Sequence, residues 1–112
     1  MAPSEIRRLT LRQLRGAKEA MLSLEFQLSR AQEPADVRRR AALAISNTQI
    51  GILKLRTAEL ADIREALLAN EEALNKSAGA LAKALENLNN VKEVIGAASA
   101  FLGVVGKIVK LL

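Results

Sequence analysis

LKLRTAELADIREALLANEEALNKSAGALAKALENLNNVKEVIGAASAFLGVVGKIV, residues 53–109, places an apolar residue at every seventh position. Leu53, Leu60, Leu67, Leu74, Leu81, Leu88, Ile95, Leu102 and Val109 follow one another without a gap. The companion positions, three residues on from Leu60, read Ile63, Asn70, Ser77, Ala84, Val91, Ala98, Val105 and Leu112. Seven residues are close to two helical turns, so the repeat paints a seam along one side of a helix. Held strictly in an unbroken helix, it demands a left-handed supercoil. About sixty residues at ~1.5 Å each would then make a rod of roughly 90 Å. The expected packing seam is Leu53, Leu60, Ile63, Leu67, Asn70, Leu74, Leu81 and Leu88. Asn70 and Ser77 interrupt it with polar side chains, which either fix register or mark partly exposed positions.

Two segments could interrupt this helix, because Gly and Asn are its poorest helix formers: Lys76-Ser77-Ala78-Gly79 and Asn87-Leu88-Asn89-Asn90. A hinge near Gly79 is the preferred break, and a turn at either place would convert the rod into a three-helix bundle.

Toward the N-terminus, Gln32-Glu33-Pro34-Ala35-Asp36 is the clearest boundary. Pro34 disfavours helix at Glu33 and suits the first turn of a new one, where Asp36 complements the helix dipole. A link this short predicts a helical hairpin. Before it, Ser4 can cap a helix over residues 4–32. On that helix Ile6, Leu9, Leu14, Met21, Leu24 and Leu28 share one broad face, with Arg8, Arg12, Arg15, Glu19 and Arg30 roughly opposite. The whole chain, 1–112, thus reads as one all-α domain. It comprises a first helix (4–32), a long heptad-patterned helix (35–93) and an apolar C-terminal helix (94–112).

Composition agrees with that class. Ala (20 residues) and Leu (19) supply most of the apolar half of the chain, while Phe26 and Phe101 are the only aromatics. The chain has neither His nor Cys. This excludes the usual zinc and haem ligands, Cys or Ser–His nucleophiles, disulfides and thiol redox chemistry, and no cofactor is expected. Glu71-Glu72 and the Asp62/Glu65 pair fall on a charged outer face with no accompanying nucleophile, so solvation is the reading and no enzyme is expected.

The net charge of +5 is uneven: +4 over residues 1–40, −1 over 41–80 and +2 over 81–112. Arg38, Arg39 and Arg40, with Lys107 and Lys110, are candidate contacts for phosphate or lipid head groups, although a solvated face is the commoner role of such runs. Without stacking aromatics or a recognition motif, nucleic acid is a disfavoured partner.

Charge stops near the end. Val94 to Gly106 are thirteen residues without a charge, and Lys107 and Lys110 are the only charges from there to Leu112. A helix apolar nearly all round is buried in protein or in lipid, and nineteen residues would span ~28 Å. Val94, Ile95, Phe101, Leu102, Val104, Val105, Ile108, Val109, Leu111 and Leu112 are the residues expected to meet one or the other. Two small-xxx-small pairs, Gly96/Ala100 and Ser99/Gly103, would allow close helix approach.

The expectation is a non-catalytic, self-assembling helical protein that engages or perturbs an anionic membrane through residues 94–112, as a pore former or anchored oligomer. The competing expectation is a soluble bundle adaptor whose C-terminal helix is buried in a homo-oligomer or by a helical partner protein. With Arg12 and Arg15 breaking the first apolar run, no export signal forms. A cytoplasmic or membrane-associated location is expected, with leaderless export left open.

Overall fold

A computed structural model describes residues 1–111. Leu112, one of the residues expected at a membrane or buried interface, lies outside the described residues. The described chain forms six helices: α1 (Pro3–Met21), α2 (Leu24–Ala31), α3 (Ala35–Thr57), α4 (Leu60–Ala69), α5 (Glu71–Ala84) and α6 (Val91–Val105). The class is all-α, as composition and periodicity predict, and no strand occurs among the described residues.

Four helices form the body. α1 packs on α3, α3 on α6, α6 on α5 and α5 on α1, which closes a ring. α4 lies against α1 and α5, while α2 lies against α1, α3 and α6. The Pro34 turn joins α2 to α3 and folds the chain into the expected hairpin. Arg38 Nη1 secures this turn by donating to the Glu33 carbonyl at 2.8 Å.

The rod of roughly 90 Å does not form; the longest dimension is 44 Å. The expected helix over 35–93 is cut at three places, and Gly79 is none of them, because it lies inside α5. The first cut is at Ala58, whose backbone turns extended (φ −66°, ψ 141°). Neither Gly nor Pro marks it. Its stabilising contact comes from a distant residue, Arg7 of α1, whose Nη1 donates to the Ala58 carbonyl at 2.8 Å. The second cut is Asn70, which ends α4 and begins α5. Its Nδ2 donates back to the Ala66 carbonyl at 2.8 Å, so the side chain acts on its own turn.

The third break is the segment between α5 and α6, where the less preferred of the two candidate interruptions, 87–90, falls. Asn90 caps α6: its Oδ1 accepts from the Glu93 amide at 3.4 Å, and its Nδ2 donates to Glu93 Oε2 at 2.8 Å. The two residues thus tie each other across the first turn. A further break divides the expected first helix at Leu22–Ser23. Ser23 Oγ accepts from the Phe26 amide at 3.3 Å and thereby starts α2.

The seven-residue ladder is largely a readout of the core of this bundle. Ile63, Leu67, Leu74, Leu81, Ile95, Leu102 and Val109 are buried, and Leu60 and Leu88 pack half-buried against them. Leu53 is the exception at 52% exposure. Its own helix turns Val37, Ala41, Ala44, Thr48, Ile52 and Leu55 inward. The cut at Ala58 lets the next helix start in a different phase, so Leu53 shares the spacing of the ladder but not its face.

Two buried hydroxyls, Thr10 and Thr48, donate to carbonyls one turn back, Ile6 at 2.8 Å and Ala44 at 2.7 Å. They therefore enter the core without an unpaired polar atom. Gly51 is buried where α3 faces α1 and α6, and a side chain as small as a methyl fits there. A Cβ there would sit 3.6 to 3.8 Å from Leu111, Leu14 and Leu102.

Candidate docking groove

The residues expected to meet lipid or a partner meet this chain's own helices. Val94, Ile95, Phe101, Leu102, Val105, Ile108 and Val109 are buried, and Val104 and Leu111 pack half-buried against the core. Helical geometry explains the discrepancy between hydropathy and placement. The large residues of α6 fall on one arc, which faces α3 and α5. The opposite arc carries Gly96, Ser99, Ala100 and Gly103, all exposed. Such residues raise average hydropathy while contributing little burial energy. Among the described residues no helix is long and apolar enough to cross a membrane.

Small residues on the outside of α6 leave a trough beside α3. Its cavity, about 360 Å³, is lined by Leu43, Ala44 and Asn47 of α3 and by Ser99 and Gly103 of α6, with Leu102 and Leu111 completing it. Leu43 on its wall is 59% exposed. A Cβ built on Gly96 or Gly103 would meet no atom within 4 Å, so the trough is open along the α6 side. The small-xxx-small pairs therefore face outward and do not mediate packing within the bundle.

The flanks of this groove are mostly cationic, with Asp36, one turn before Arg40, the exception. Arg40 lies one turn before Ala44 and Lys54 two turns beyond Asn47, both on the same side of α3. Lys107 follows Gly103 by one turn, and Lys110 adjoins Leu111. α3 and α6 run in the same direction: Ser29, shortly before α3, donates to Asn89, just before α6, at 2.8 Å, while Gly51, far along α3, faces Leu102, far along α6. Arg40 accordingly marks one end of the groove, and Lys54, Lys107 and Lys110 mark the other. From Val37 to Ala58 the chain holds no acid. The one ion pair among the described residues joins the Met1 ammonium to Glu71 at 3.6 Å, far in sequence from these cations.

The five cations singled out from sequence are thus not one phosphate-gripping cluster. Arg38 is engaged at the Pro34 turn, Arg39 and Arg40 are exposed on α3, and Lys107 and Lys110 lie at the far end. Sequence reasoning missed Leu43, Asn47 and Lys54. The signal was present, since Leu43, Ile50 and Leu53 fall on the face of α3 opposite its core positions.

A second cleft of about 290 Å³ lies where α1 meets α5, lined by Ile6, Thr10, Gln13, Leu74 and Phe101 among others. The Thr10 hydroxyl inside it already donates to Ile6. Arg12 and the Met1 ammonium are the charged groups of its lining, both cationic, and no carboxylate lines it. No three acidic, His or Cys residues gather as a metal site among the described residues. The chain matches no protein-family model, no curated protein and no solved structure.

Proposed function

We propose that this chain is a non-catalytic helical interaction module, an adaptor that takes up one helix of a partner in the α3–α6 groove. One observation carries the reading: an open apolar trough, floored by Ala44 and Leu102, runs between two helices of the bundle, with Arg40, Lys54, Lys107 and Lys110 flanking it against a single acid, Asp36. Helix-in-groove recognition needs this combination of an apolar floor, a close-approach wall and charge at the margins. The complementary ligand is an amphipathic helix with leucine-like anchors and acidic flanks.

The test is titration calorimetry of the full chain with a synthetic amphipathic helical peptide of acidic flanks, against a Gly103→Phe variant. The space over Gly103 is open, so a large side chain fills the groove without disturbing the core. Binding by the native chain and loss in the variant is the expected result. Equal heats from both chains, or none from either, would overturn the reading.

The membrane reading of residues 94–112 is less well supported. To meet lipid, α6 would have to leave the ring and uncover the apolar faces of α3 and α5. That removes large side chains whose burial is worth on the order of 10 kcal/mol together, comparable with the stability of a whole domain. Co-flotation of the full chain with anionic vesicles, accompanied by loss of near-native α6 protection in hydrogen exchange, would favour it over docking.

A further inference from the structure

We infer that the helix this groove accepts is α4 of a second copy of the same chain, so that copies associate head to tail. The inference rests on the docking reading above and names the partner. The chain is electrically divided. Residues 35–57 hold five cations and one acid, whereas residues 59–72 hold five acids and one cation. Both charged surfaces are accessible, since Arg39, Arg40, Asp62, Glu65 and Glu72 are all exposed.

α4 also supplies the anchor. Asp62, Glu65 and Leu68 recur at three-residue spacing and occupy one outer face. Leu68 is 45% exposed, a large apolar side chain between acids. The groove offers the converse, an apolar cavity of about 360 Å³ between cations. Small Ala61 and Ala69, both exposed on α4, permit the close approach that Ser99 and Gly103 permit on α6.

Placement makes the contact intermolecular. α4 lies against α1 and α5, the two ring helices that do not border the groove. A chain therefore cannot fill its own groove with its own α4 while the ring is closed. Two different surfaces that complement each other give a head-to-tail contact, which closes into a ring or, where the rotation does not close, leaves one groove and one α4 face free at the ends.

The experiment is sedimentation velocity of the full chain over a concentration series at low and high salt, with two charge-reversal variants. One carries Arg40→Glu with Lys107→Glu, the other Asp62→Lys with Glu65→Lys. All four positions are exposed, and circular dichroism checks that each variant remains helical. The native chain should associate with concentration and dissociate with salt. Each variant alone should associate about tenfold or more weakly, and mixing the two should restore assembly because the charges are complementary again.

Oligomers that ignore both pairs of substitutions would overturn the inference. So would a native chain that stays monomeric while the acidic peptide still fills its groove, a result that leaves the docking reading standing. A monomer that binds no peptide removes both, and one that instead floats with anionic vesicles assigns the cationic face to a membrane.

Discussion

α3 and α6 lie side by side in the bundle and invert what their hydropathies suggest. α6 is uncharged from Val94 to its last residue, Val105, yet every one of its large side chains is buried or packed against the core. α3 carries five cations, yet it turns Leu43 and Leu53 toward solvent at more than half exposure. The lesson is that mean hydropathy reports composition, while burial follows the angular distribution of large side chains. Gly and Ser on the outside of α6 count as mildly apolar and cost almost nothing to expose. A leucine on the outside of α3 is costlier to leave uncovered, and Leu43, on the wall of the trough, is the one that the proposed docking would cover.

That contrast can be broken at its strongest point by replacing Phe101 with Ala. The ring is 1% exposed, and its removal should destabilise the chain by about 3–5 kcal/mol in urea unfolding. A loss below about 1 kcal/mol would mean that α6 is not part of the core. The ladder itself supplies the next test. Leu81→Ala should cost about 2–5 kcal/mol, whereas Leu53→Ala, in the same seven-residue series, should fall within about 0.5 kcal/mol of the native chain. Equal effects would restore the continuous seam.

Smaller effects probe the breaks. Ser23→Ala and Asn90→Ala should each cost about 1 kcal/mol, because each leaves an amide at a helix start without its side-chain acceptor. Gly79→Ala, by contrast, should stabilise by about 0.5–1 kcal/mol, since that residue is inside α5 with open space around it. Loss of stability on that substitution would point to the hinge that the sequence suggested. Gly103→Ala should give a similar gain, and the same variant begins to fill the groove, so stability and docking should move in opposite directions.

Much of the fold was legible in the residues. The helical hairpin at Pro34, the turn at 87–90 and most of the ladder as a packing surface follow from local propensity and periodicity. The cut at Ala58 was not legible, because no Gly or Pro marks it and the contact made by its carbonyl comes from Arg7, fifty-one positions away. Asn70 was visible as an anomaly with two readings, a register device or a partly exposed position; it is half-buried, and its amide bonds within its own turn. Of the groove's cations, Arg40, Lys107 and Lys110 were visible singly, and Lys54 was not singled out. Their distribution along one groove depends on α3 and α6 running in the same direction, which no pattern within either helix encodes.

The sequence by itself determined an all-α chain without the His and Cys that zinc, haem, thiol or imidazole chemistry uses, because those are properties of residue type and of spacing within a few turns. Only the tertiary structure decided that the apolar C-terminal helix is covered by this chain's own α3 and α5, and that its bare side opens a groove. Periodicity states which residues share a face. What that face meets depends on where the breaks fall and how the resulting helices close into a ring, and the contacts that stabilise this closure join residues far apart in the chain.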